Sequence, residues 1–277
     1  MPLVFAAILP HGSEAIPELA GADPSRFERV REGLEEAARV FRRQTIDLVV
    51  VATPHGIRVE NAVALSASER TAGVIEEGGR RVEADYAVDV DWARTLSERA
   101  EKQGIRTALL AYGASSGPAS RLPMDWGAQV PLHFLLGPSD TARRVVTAVP
   151  SRMLSFRDLA RFGEVLGAVI REDPRAVAFV ASADMCHAHQ EEGPYGFHPA
   201  AATLDSLIQA AVREDHLETL LEPDAELQAL IRDGKPDGLW QLAILCGVRR
   251  TVAMTAHYLG YDCPTYFGML SAIYWPT

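Results

Sequence analysis

The chain has 277 residues, 48% of them hydrophobic and 23% charged, with a formal net charge of −10. That length and apolar content give enough material for a sizeable core and exclude a disordered chain. The acidic balance argues against a nucleic-acid or membrane partner, because both need a basic footprint. Three cysteines, Cys186, Cys246 and Cys263, form no Cys-x-x-Cys pair, which argues against a disulfide scaffold or a structural zinc site and fits a reducing cytoplasm. The first apolar run is short and has no basic lead-in, so no secretory signal is expected, and no run reaches the ~18 apolar residues of a membrane span.

Residues 3–9 are apolar and closed by Pro10, which reads as a first strand ending at His11 and Gly12. Residues 24–43 carry Phe27, Val30, Leu34, Ala38 and Phe41 at helical spacing, with Asp23 as N-cap ahead of Pro24. Residues 46–52 form a second buried strand, ending in Thr53-Pro54-His55-Gly56. Residues 58–67 and 79–88 read as strands or a hairpin, 90–102 as a helix and 106–111 as a strand. Residues 112–123 read as a loop, and Pro131 is expected to open a helix. A strand over 143–149 precedes a helix over 155–171, with Ser155 as N-cap and Asp158 in the capping-box position. Residues 177–181 are a β-branched run that turns abruptly polar. One or two helices follow over 199–226, then a short helix over 238–247 and closing strands over 251–258 and 266–274. Strands alternate with helices and no repeat or linker interrupts them. The expectation is one α/β domain over residues 1–277, with a central mixed sheet flanked by helices.

Three of these strands end in histidine: His11, His55 and His187. If the strands are parallel neighbours, their C-terminal ends meet, which is where an open α/β sheet keeps its site. Imidazole is a common ligand for divalent transition metals, and two histidines with one carboxylate make a facial set with open positions. The residues alone therefore predict a metal site with a nearby acid/base group.

The segments "AILPHG", "VVVATPHG", "MDWGAQVPL" and "ASADMCHAH…GPYGFHP", in chain order from Pro10 onward, resemble the LigB-type class III extradiol ring-cleavage dioxygenases and the related Memo proteins. The resemblance implies a single α/β domain, a homo-oligomer, and in some members a small partner subunit. It implies a non-haem Fe(II) site, with Zn, Cu or Mn as alternatives, acting on a small aromatic substrate of catechol type and O2. By resemblance His11 and His55 are metal ligands and His187 is the acid/base, which takes a phenolic proton and later returns it. The third ligand falls on Asp237. Asp237 also reads as the N-cap of the following helix, and Glu191 and Glu192 are alternative carboxylates. Asp237 is one methylene shorter than the family's glutamate, so its backbone would have to approach the metal more closely. His189 and Asp184 are expected near the site or its substrate. Trp126 stands where many of these dioxygenases have a histidine; it can donate through its indole N–H but cannot accept or act as base. Two other readings remain: a Memo-like metal protein without ring cleavage, and a zinc-dependent hydrolase.

Overall fold

The computed structural model describes residues 2–276. The first strand, β1 (Leu3–Leu9), is followed by two short 3-10 turns and helix α1 (Glu28–Phe41). Then come β2 (Leu48–Ala52), β3 (Val63–Ser66), β4 (Arg70–Glu77), β5 (Arg80–Val88) and α2 (Val90–Lys102). The middle of the chain holds β6 (Thr107–Leu110), β7 (Arg121–Pro123), α3 (Trp126–Leu136), β8 (Ser139–Pro150), α4 (Phe156–Glu172) and β9 (Val177–Ser182). The last part holds α5 (Ala200–Arg213), α6 (Ala225–Gly234), α7 (Leu239–Thr251), β10 (Met254–Asp262) and β11 (Met269–Pro276).

The strands make one mixed sheet in the order β10-β11-β1-β9-β2-β8-β5-β4-β7, with β3 and β6 branching from the end of β8. Its centre, β1-β9-β2-β8, is parallel throughout. These strands are apolar on both faces because both faces are covered. Along β1, Ala6 and Ile8 enter a core shared with α2, α4, α5 and α7, whereas Phe5, Ala7 and Leu9 enter a second core shared with α1 and α3. The result is a single α/β domain of three layers. Leu9 is in register with Ser182, and Ala52 with Ala181, so β1, β9 and β2 end in step.

Several boundaries differ from the sequence expectation. The hairpin is β4–β5, not a pairing of 58–67 with 79–88: Gly78 and Gly79 both take positive φ, 54° and 76°, which a two-residue turn between twisted strands requires. Its first strand escaped notice because its burial alternates poorly. Helix α3 begins at Trp126, not Pro131, because Asp125 caps it by accepting from the Ala128 N–H at 3.1 Å, and Pro131 lies inside the helix. Residues 24–27 are a 3-10 turn, and Asp23 accepts from the Ser25 hydroxyl instead of capping a backbone N–H. β7 interrupts the predicted loop over 112–123, and α6 extends the helical stretch to Gly234.

Helices α4 and α7 cross in close contact. A Cβ at Gly163 would collide with the Ile244 carbonyl, and one at Gly247 with the Ala160 carbonyl. Backbone cannot yield as a side chain can. Gly247→Ala is therefore expected to lower unfolding stability by about 1–3 kcal/mol, read as a shifted urea midpoint at unchanged slope.

Candidate metal centre

The C-terminal ends of β1, β2 and β9 deliver His11, His55 and Asp184 to one point. Asp237 reaches it from the turn before α7. His11 Nε2 lies 3.0 Å from His55 Nε2 and 3.3 Å from Asp237 Oδ2, and His55 Nε2 lies 3.2 Å from the same oxygen. Asp184 Oδ2 is 3.1 Å from His11 Nε2. His11, Asp184 and Asp237 are buried, and His55 is partly so.

The tautomer of His11 follows from its other nitrogen. Ser182 Oγ is 2.5 Å from the Gly127 carbonyl, which can only accept, so the hydroxyl proton goes there. Ser182 then accepts from His11 Nδ1–H at 3.0 Å, and Nε2 turns a lone pair toward the cluster. The Gly127 carbonyl is available because Pro131, four residues on, has no N–H to offer it. Gly127 itself has no room for a side chain: a Cβ there would meet Thr53 Oγ1 at 2.6 Å and Asp125 Oδ1 at 2.9 Å.

Asp237 is held by backbone. Its Oδ1 accepts from the Asp184 N–H at 3.2 Å, and the next residue's N–H, at Gly238, donates to the Asp184 carbonyl at 3.0 Å. A Cβ at Gly238 would strike Ala183 at 2.5 Å, so the chain can come this near only with glycine there. That closeness offsets the short aspartate side chain. Asp237 does not cap α7; Gly238 occupies that position, without a side-chain cap.

Asp237 Oδ2 is buried and, among the described residues, has no hydrogen-bond partner other than the two imidazole nitrogens beside it. An orphaned carboxylate oxygen beside two imidazole nitrogens is costly unless a cation joins them. Atoms each bound about 2.1 Å from a shared ion lie about 3.0–3.4 Å from one another, the separations seen here. His11, His55 and Asp237 thus form a triad that could bind a divalent metal.

Without metal, the surrounding charges act on protons. Burial disfavours the His11 imidazolium, but the carboxylates of Asp184 and Asp237 outweigh it and raise His11 to about 9. Burial raises Asp184 to about 6, and the neighbouring Asp237 adds to that against the pull of His11. Burial also acts to raise Asp237, yet His11 and then His55 hold it well below the usual carboxylate range.

His187 stands beside the triad, its Nε2 3.9 Å from Asp237 Oδ2. Its Nδ1 is 3.0 Å from the Met185 carbonyl, so the proton sits on Nδ1 and Nε2 carries the lone pair. Phe267 stacks on the ring at 5.2 Å with an interplanar angle of 14°. A cleft of about 360 Å³ opens over these residues, walled by Trp126, Tyr195, Tyr266 and Phe267. Larger hollows exist, of about 770 Å³ beside β5 and about 520 Å³ beside α5, but the triad opens into neither.

A family model described as the catalytic LigB subunit of aromatic ring-opening dioxygenase matches residues 5–269. The chain belongs to the LigB family. It is 21% identical over 256 residues to "Protein CA_C1420" of Clostridium acetobutylicum, an alignment covering 92% of this chain and 54% of that protein. The chain thus spans about half the length of that curated relative. It is also similar to the crystal structure of uncharacterized protein JW3007 from Escherichia coli K12, with a TM-score of 0.57 and 15% identity over 98% of this chain and 99% of that one. That likeness is one of fold.

The remaining predicted residues of this LigB-family chain fall in different places. Trp126 is the first residue of α3, half-exposed, and stacks on His55 at 4.2 Å. Asp184 lines the cleft and also accepts from the His11 N–H at 3.0 Å. His189 does not line the cleft. Its Nε2 lies 2.9 Å from Asp205 Oδ2, and Asp205 also accepts from the Tyr261 hydroxyl at 2.6 Å and the Cys186 N–H at 2.8 Å, so this network ties the loop after β9 to α5. Glu191 and Glu192 are exposed in the turn beyond, away from the triad. Sequence reasoning missed Ser182 as a partner of His11 and the aromatic wall of Tyr195, Tyr266 and Phe267. The signal for Ser182 was present: a lone hydroxyl closing a fully buried apolar strand needs a bonding partner.

Ser182→Ala should leave the fold intact but free the His11 ring to change tautomer, weakening metal affinity about 10–100-fold in a competitive chelator titration. The same titration should depend on pH. Below about 9 the metal must displace a proton from His11, so apparent affinity should fall about tenfold per unit as pH drops from 9 toward neutrality. A flat profile between pH 7 and 9 would show that metal-free His11 holds no proton over that range.

Proposed function

We propose that this LigB-family chain is a non-haem Fe(II)-dependent extradiol dioxygenase that opens a catechol-type ring. The observation that carries the reading is the orphaned Asp237 Oδ2 converging with the Nε2 atoms of His11 and His55, with the basic nitrogen of His187 alongside. Two histidines and one carboxylate leave open positions, the arrangement used by non-haem Fe(II) oxygenases. Bound there, the metal would supply a Lewis-acid centre that favours ionisation of an adjacent phenol and lowers the barrier to reaction with O2.

The chain's own residues do the rest. His11, oriented by Ser182, His55, covered by Trp126, and Asp237, anchored on the Asp184 N–H, hold the metal. The aromatic wall takes the ring of the substrate and displaces water from around it. His187 Nε2 removes the second phenolic proton, because Nδ1–H is committed to the Met185 carbonyl and Nε2 is its free acceptor. The proton then held on Nε2 is available for return as the O–O bond of dioxygen breaks. Stacking on Phe267 keeps the imidazole plane from turning during both transfers.

The test combines elemental analysis of anaerobically purified protein with oxygen uptake on a catechol panel. Near-stoichiometric iron with catechol-dependent uptake supports the reading; zinc with no uptake replaces it with a hydrolytic one. His187→Ala should retain wild-type metal content and lose about 10²–10⁴ in catechol turnover. Turnover unchanged in that variant would remove His187 from the chemistry.

A further inference from the structure

His55 is the triad member least held by hydrogen bonds. Its side chain is 22% exposed, against 2% for His11 and 5% for Asp237. His11 is oriented by Ser182, and Asp237 by the Asp184 N–H. Among the described residues, His55 Nδ1 has no hydrogen-bond partner, and the His55 backbone N–H reaches Thr53 Oγ1 only at 3.5 Å. A ligating imidazole ordinarily donates its second N–H to a fixed acceptor, which sets the plane of the ring. Some other contact must set it here.

Packing by the start of α3 supplies that contact. The Trp126 indole lies over the His55 ring at 4.2 Å with an interplanar angle of 23°. A Cβ at Gly127 would come within 3.3 Å of His55 Cδ2, so the helix also closes on the edge of the ring. Turning the imidazole about its Cβ–Cγ bond would break the stack. The stack is in turn locked to β2. Thr53 directly follows that strand, and its N–H donates to the Ala148 carbonyl at 2.9 Å. The Thr53 hydroxyl donates to Asp125 Oδ1 at 2.5 Å, and the same oxygen caps α3 through the Ala128 N–H. Thr53 lies two residues before His55, and Asp125 adjoins Trp126. One short, charge-assisted hydrogen bond thus holds the ligand and the ring that covers it face to face.

Trp126 is itself 49% exposed, so its outer face meets solvent while its inner face shields the most open member of the triad. An ion leaving the triad must first part from a ligand, and the two buried ligands are the ones fixed by hydrogen bonds. We propose that Trp126 is a positioning residue for His55, setting its ring plane by stacking, and that it governs how fast the metal is lost, with the Thr53–Asp125 bond as the joint that keeps it in place. This rests on the metal centre and not on the ring-cleavage reading.

The experiment loads the full chain anaerobically with Co(II) and follows its loss to excess EDTA through the visible absorption of the bound ion. Trp126→Leu keeps apolar bulk but removes the aromatic face, and should speed the loss about 10–100-fold, the range seen when the contacts that orient a metal ligand are removed. Trp126→Phe keeps a face to stack and should stay within about threefold of the unsubstituted chain. Thr53→Val should speed the loss with Trp126 intact, and Thr53→Ser, which keeps the hydroxyl, should not. Should Trp126→Leu no longer unfold cooperatively in urea, the Thr53 pair carries the test. Loss at the unsubstituted rate in Trp126→Leu overturns the assignment, as does equal acceleration in the Leu and Phe variants, which would assign the effect to bulk and not to stacking. Oxygen uptake plays no part in this measurement, so either result leaves the ring-cleavage reading standing. Failure of the unsubstituted chain to hold Co(II) overturns both.

Discussion

The hydroxyl of Ser182 is the joint on which the site turns. It is bound on one side by a carbonyl that can only accept, so it must accept on the other, and His11 must then carry its proton on Nδ1. One buried serine thereby decides that His11 Nε2 faces the cluster with a lone pair. The carbonyl is free to do this because Pro131 leaves a gap in the hydrogen-bond ladder of α3. A helix defect on one layer of the domain sets the tautomer of a histidine at the end of a strand in the next.

The fold supplies the rest of the constraint by density of contact. Segment 183–189 is threaded between two others: Met185 N–H donates to the Gly268 carbonyl, His187 N–H to Gly234 and His189 N–H to Tyr266. Asp184 and Asp237 are cross-tied by their own backbones. Glycines at 127 and 238 mark where these strand ends come too near their neighbours for a side chain. Each group in the triad is therefore placed by main-chain hydrogen bonds and by steric exclusion, and long flexible side chains take no part. That is the preorganisation a metal site needs, because its ligands must stand at ion-binding separation before the ion arrives.

Charge is handled unevenly around the site. Most of the excess acid of the chain lies on exposed surface, where many carboxylates pair with arginines, as in Arg99–Glu172 and Arg157–Glu222. Such pairs add little to stability. Among the described residues no arginine lines the cleft, so its acids have no such partners there. Asp237 gains from the arrangement through the imidazoles beside it, while Asp184 and Glu14 are pushed toward protonation by burial.

Much of this was legible in the sequence. Buried strands announce themselves as apolar runs, and residues 3–9, 46–52 and 177–181 each ended in chemistry, so the α/β class and the gathering of His11, His55 and His187 followed from period and polarity alone. Resemblance in four ordered segments pointed to the family. The sequence could not show that β9 inserts between β1 and β2, because strand order depends on how helices cover both faces of the sheet, and no local pattern records it. Resemblance put Asp237 ahead of Glu191 and Glu192 as third ligand, but the residues alone left all three open, and only packing shows that Asp237 is buried against the histidines while the others face solvent. Hairpin β4–β5 and the true start of α3 were misplaced for the same reason, since a weakly alternating strand and an internal proline read as loop until tertiary contacts hold them. Local composition determined which residue types stand at the strand ends. Tertiary structure alone decided which of their atoms face one another, because a tautomer, an orphaned oxygen and a 3 Å separation are properties of neighbours far apart in the chain.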